Sequence, residues 1–212
     1  HIAALKHLTG KEYTTNPDTY PFAVKANRKV DIRDMMAILR SHNGDTEKHP
    51  VEICTDVTVT STIFQLRNYL PVEIGAVMWA TAASPCAEVY IPWYSGMTKS
   101  PEGFQRYKTA GEALEKHFSD ATNKRDNYPD GIAWEFVDRW HWVLEDYHKR
   151  IPDIQKANSK FQEELFSRQK RFEKKSLRKK TSQEIENALN EYTQEIYQEY
   201  LKSYRNFEEG TL

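Results

Sequence analysis

Near residue 130 the chain changes character, which rules out one regular element repeated along its whole length. Upstream lie nearly all the prolines, both cysteines and a run rich in β-branched residues, Val51 to Gln65 (VEICTDVTVTSTIFQ). Downstream, charged residues and apolar residues at helical spacing dominate. Alternation of Val57, Val59 and Ser61 against Thr58, Thr60 and Thr62 predicts paired strands with one polar face. Ile74 to Ala80 and Ala87 to Ile91 supply two further strands, with Asn68-Tyr69-Leu70-Pro71 and Ser84-Pro85 as breaks. Short strands at this spacing imply an antiparallel or mixed sheet.

Residues 2 to 30 read mainly as loop, with Asn16-Pro17-Asp18 and Tyr20-Pro21 as turn signals. Asp31 then suits an N-cap, and Ile32, Met35, Met36 and Leu39 predict a helix to about Arg40, ended by the turn-forming Ser41-His42-Asn43-Gly44-Asp45. Pro92-Trp93-Tyr94-Ser95-Gly96 reads as an aromatic turn packed over a sheet edge, and residues 97 to 130 as an irregular link with a short helix around Ala110 to Phe118. Three helices follow: Ala133 to Arg150, ended by Ile151-Pro152; Ile154 to Lys175; and one opening near Ser182 with a Ser-x-x-Glu-like start slightly out of register. The organisation is α+β, with residues 1–130 as the sheet-containing portion and residues 131–212 as a helical region packed on it.

At 212 residues the chain can bury roughly two-thirds of its extended surface, so size does not prevent a core. Basic and acidic side chains balance at 30 against 31, which gives no electrostatic reason to expect nucleic acid. The basic stretch Arg168 to Lys180 is followed by an acidic helix bearing Glu184, Glu186, Glu191, Glu195 and Glu199, so pairing between helices explains it economically. Nothing approaches the apolar run of a membrane span. The sequence does not decide between a cytoplasmic and an exported protein.

No HExxH, phosphate loop or dinucleotide fingerprint occurs, and neither a metal nor an organic cofactor is indicated. Cys54 and Cys86, among apolar and β-branched neighbours, are expected to be free and separately buried, since their spacing suits neither a metal knuckle nor a redox pair. Arg67, at a strand end before a proline turn, offers a guanidinium that can clamp a carboxylate, either in substrate or in an edge salt bridge. Arg40 and His42, at a helix end, invite the same two readings. The hydroxyl-bearing run at Thr60 can bond a substrate or line a polar sheet face.

Several motifs carry a resemblance in their order along the chain. Arg40, His42, Gly44 and Thr46 look like an Arg-x-His-x-Gly-Thr region. There follow Ile53-Cys54, Thr60-Ser61-Thr62-Ile63-Phe64-Gln65-Leu66-Arg67, Leu70-Pro71-Val72-Glu73-Ile74-Gly75-Ala76-Val77-Met78-Trp79, and then Pro85, Tyr90, Pro92, Tyr94, Gly96 and Pro101. Over residues 31 to 101 this succession resembles the later half of the dipeptidase family of N-terminal-nucleophile cysteine hydrolases, in which secernin-like proteins also fall.

The resemblance implies a partial αββα sandwich with a helix-rich C-terminal region. It also implies a dipeptide substrate and a cysteine nucleophile standing first in the mature chain, its α-amino group serving as general base. His1 does not match that position, nor do Cys54 and Cys86, so the nucleophile is expected on a segment absent from this chain. The catalytic residues therefore number none here, and Arg40, His42, Thr60, Gln65 and Arg67 remain as candidates for substrate positioning or support. The isolated chain is expected to be inactive, and to pair with the missing N-terminal segment or with itself. The alternative from another class is a noncatalytic, helix-rich protein-interaction module.

Overall fold

The computed structural model describes residues 2–14, 16–42, 53–55, 57–104, 109–117 and 132–208. Its centre is a three-stranded antiparallel sheet in the order β1-β2-β3, formed by β1 (Ser61–Leu66), β2 (Ala76–Thr81) and β3 (Ile91–Tyr94). The register aligns Ile63 with Trp79 and Trp79 with Pro92, and Gln65 with Val77 and Val77 with Tyr94. Because side chains alternate across a strand, these residues share one face, and Ile63, Val77, Trp79 and Tyr94 are buried on it. Among the described residues, no helix is long and apolar enough to cross a membrane.

The described helices are α1 (Ile2–Thr9), α2 (Ile32–Leu39), the single turn α3 (Val72–Gly75), α4 (Ala110–His117), α5 (Ile132–Glu145), α6 (Tyr147–Ser176) and α7 (Ser182–Glu208), of which α6 and α7 supply most of the cover over that face. Trp79 is fully buried against Phe166 of α6, with ring centroids 5.2 Å apart, and donates its indole N–H to Gln65. Leu189, Tyr192, Ile196, Tyr197 and Tyr200 of α7 complete one continuous core with the sheet. Each such large apolar side chain contributes roughly 1.5–3 kcal/mol by leaving water. The α+β architecture, with a sheet layered by helices and a helix-rich C-terminal region, agrees with the partial sandwich expected from the sequence.

Among the described residues, the outer edge of β3 and the two residues before it are met by side chains rather than by another strand. Gln162 of α6 accepts from the Tyr90 N–H and donates to the Tyr90 carbonyl, Thr193 of α7 donates to the Pro92 carbonyl, and the Tyr200 hydroxyl accepts from the Val89 N–H. Pro92 lacks an N–H, so it suits an edge position.

Several local boundaries differ from the sequence reading. Residues 2–9 form α1 rather than loop, held beside α2 by His7, which bonds Asp34 at 3.0 Å. Among the described residues of the Val51-to-Gln65 run, only Ser61 to Gln65 falls in a strand. Thr55 and Thr58 instead bond each other in a turn, which leaves Val57 and Val59 exposed. The second strand begins at Ala76, because Pro71 starts a helical turn through Gly75. The third lies at Ile91–Tyr94, so Trp93 and Tyr94 are strand residues, while Pro85–Ala87 is a 3₁₀ turn.

Pro152 does not end a helix. It sits early in α6, which starts at Tyr147 after a break at Asp146, so the ring removes a hydrogen bond only near the helix start. The reading of Asn43 to Asp45 as a turn lies outside the described residues.

Candidate functional site

The capping box of Asp31 and Asp34 starts α2 and thereby fixes where its C-terminal end delivers Arg40 and His42. Arg40 is half-buried and caps three acceptors: the Pro85 carbonyl at 3.0 Å, the Glu88 carbonyl at 3.0 Å and Gln162 at 3.1 Å. Its guanidinium also lies 4.9 Å from the centre of the Tyr90 ring. Burial lowers its pKa, yet an arginine keeps its charge across any physiological range.

His42 stands beside this network. Its Nε2 is 3.5 Å from the Tyr147 hydroxyl, and its ligand nitrogen, Cys54 Sγ and Cys86 Sγ lie within 4.8 Å of one another. Both thiols are free and buried, as the sequence predicts, but they are not separate. A hydrogen bond from Cys86, seconded by His42, pulls the Cys54 thiol down. The bond to Cys54, together with burial, pushes Cys86 up. This trio of soft donors is also the group of side chains able to hold a metal ion among the described residues. Its residues are far apart in sequence, so no spacing rule exposes it.

Thr60 and Ser61 meet the same end of the sheet. Thr60 donates to the Thr81 carbonyl at 2.8 Å, and Ser61 Oγ lies 2.7 Å from the Tyr90 hydroxyl. Gln65 and Arg67 stand at the opposite end of β1. The Gln65 carbonyl oxygen receives the Trp79 indole, and Arg67 makes a fork with both carboxylate oxygens of Glu173, each at 2.8 Å. Arg67 also donates to the Ile74 and Gly75 carbonyls, while Glu173 accepts from Tyr94 and Gln169. The structure thus gathers Arg40, His42 and Thr60 near one end of the sheet and Gln65 with Arg67 at the other.

A buried carboxylate, unmarked in the sequence reading, lies between these helices and β3. Glu88 accepts from the Tyr200 hydroxyl at 2.6 Å, and burial raises its pKa to about 7 against the opposing pull of Arg139. Glutamate in an apolar stretch was the available signal.

The second face of the sheet is open. Phe64 and Leu66 are 69% and 77% exposed, and with Ala76, Met78 and Trp93 they line a groove of about 520 Å³ bordered by Ser95 to Ser100.

Residues 4–119, more than half of the chain, match the model of peptidase family C69. The chain belongs to this family. Among family-level relatives, a probable dipeptidase of Latilactobacillus sakei is 28% identical over 97 residues, which is 40% of this chain and 20% of that protein. Dipeptidase A of Lactobacillus helveticus is 29% identical over 98 residues, 40% of this chain and 21% of that protein. Probable dipeptidase B of Lactococcus lactis is 21% identical over 132 residues, 53% of this chain and 28% of that protein. The matched part of this C69 chain thus spans between a fifth and under a third of these relatives' length.

Proposed function

We propose that this chain is a portion of a C69 dipeptidase whose nucleophile is an N-terminal cysteine on a segment outside residues 1–212. The observation that carries the reading is the family match across residues 4–119, which takes in the sheet and α2, joined with three relatives described as dipeptidases. In the intact enzyme the cysteine thiolate attacks the peptide carbonyl carbon, and the C–N bond breaks with protonation of the departing amine. Water then splits the resulting thioester and returns the thiol. The α-amino group of that cysteine takes up and returns the proton.

The burial of Cys54 and Cys86 among the described residues supports assigning neither as nucleophile. Arg40, Thr60, Gln65 and Arg67 are spent on internal partners, so their proposed role is to hold α2 and the sheet in shape. His42 is proposed to support the same end of the sheet. The open face with Phe64, Leu66 and Met78 is proposed to be covered by the remaining segment, or by a second copy when that segment is missing.

Full-length gene product and this chain, assayed side by side on unblocked and amine-blocked dipeptides, test the reading. Hydrolysis of unblocked dipeptides by the full-length protein, abolished when its first mature cysteine becomes serine, is expected. A full-length protein inert on the panel overturns it. Turnover by residues 1–212 that disappears in Cys54→Ser also overturns it, by moving the nucleophile inside this chain.

A further inference from the structure

The His42, Cys54 and Cys86 side chains come from three separate places: the residue group after α2, the segment before β1, and the 3₁₀ turn at Pro85–Ala87. Nothing in the hydrolase reading requires them to meet. Their ligand atoms nevertheless lie within 4.8 Å of one another, and both thiols are withdrawn from water. We propose that these three residues bind a thiophilic d¹⁰ cation of the Zn²⁺ class, in a site that clips the Cys54 segment and the 3₁₀ turn to the end of α2.

Two thiolates and an imidazole are the donor set of zinc and related soft or borderline ions, whereas magnesium and calcium require oxygen. Tetrahedral zinc, with Zn–S near 2.3 Å and Zn–N near 2.0–2.1 Å, sets its ligand atoms roughly 3.3–3.8 Å apart. The three donors therefore need to close by no more than about 1–1.5 Å to meet that geometry. The Tyr147 hydroxyl, 3.5 Å from His42 Nε2, stands where it can supply a hydrogen bond or border a fourth position filled by water. A disulfide between the cysteines would use two of the three converging groups, require an oxidant and leave the approach of His42 unexplained. The test below separates the two.

The 212-residue chain, reduced and stripped with a chelator, is titrated with Co²⁺ and then with Zn²⁺ in competition. One Co²⁺ per chain is expected, with thiolate-to-cobalt charge-transfer absorption and tetrahedral d–d bands that Zn²⁺ erases, and with a melting temperature that rises with free Zn²⁺. Cys54→Ser and Cys86→Ser should each reduce the charge-transfer band, and His42→Gln should weaken Zn²⁺ binding by about tenfold or more while retaining that band. The wild-type titration needs no substitution, so a variant that fails to fold leaves the test intact. Cobalt bound without charge transfer, a band unchanged in folded Cys54→Ser, or no uptake at all overturns the site. A chain lighter by two hydrogens after purification in air, with no metal uptake after reduction, overturns it in favour of a disulfide.

Discussion

At the scale of the residue, the arginine fork of Arg67 on Glu173 is the interaction with most to lose. Both side chains are almost entirely removed from water. Truncating one partner therefore strands a buried charge rather than merely deleting a contact. Arg67→Ala is expected to destabilise the fold by about 3–5 kcal/mol in urea unfolding. Arg67→Lys, which keeps the charge but loses the fork and the carbonyl contacts, should fall between it and the wild type.

Glu88 makes an opposite demand on pH. Its folded pKa, about 7, lies above the ordinary glutamate range, so the folded state holds a proton that the unfolded chain releases. Its contribution is fully present below about pH 4 and is lost as pH rises to about 7. The Tm of wild type should therefore decline between pH 5 and 7.5 more than that of Glu88→Gln, measured side by side. Equal slopes would show that the carboxyl is charged throughout. The sequence discloses Arg67 as a clamp for some carboxylate, but Glu173 lies 106 residues away, and no local pattern supplies such a partner.

Elements were more legible than their limits. The apolar spacing of α2 and the Asp31 cap are local signals, and the structure places that helix where they put it. The start of α7 is equally local once shifted by one residue. Thr181, not Ser182, receives the Glu184 N–H, and the Glu184 carboxylate returns to the Thr181 N–H. Thr181→Ala should cost about 0.5–2 kcal/mol, and Thr181→Ser much less, by thermal or urea melts. The strands were harder to bound, because their limits depend on tertiary contacts. The Thr55–Thr58 turn removes Val57 and Val59 from a pattern that alternates well on paper, and β3 is bounded by its pairing with β2 and by helix side chains such as Thr193, which donates to the Pro92 carbonyl. The metal-competent trio escaped for the same reason, since folding alone brings its members together.

Across the whole molecule, one sheet face is sealed by helices while the other carries Phe64 and Leu66 into solvent. If that open face drives association of the isolated chain, light scattering should show a mass that grows with concentration. Phe64→Lys combined with Leu66→Lys should return it to the monomer mass without lowering Tm. A wild-type chain that stays monomeric at all concentrations would remove this role from the face.

The sealed side has a different consequence, which concerns order of synthesis. The Pro92 carbonyl receives Thr193, 101 residues further on, and Glu88 receives Tyr200, 112 residues further on. A ribosome adding roughly 5–20 residues per second delivers those side chains on the order of ten seconds after the last described strand. Throughout that interval Trp79, Tyr90 and Tyr94 lack the helices that cover them, so the nascent sheet is a natural client for whatever holds unfinished chains apart.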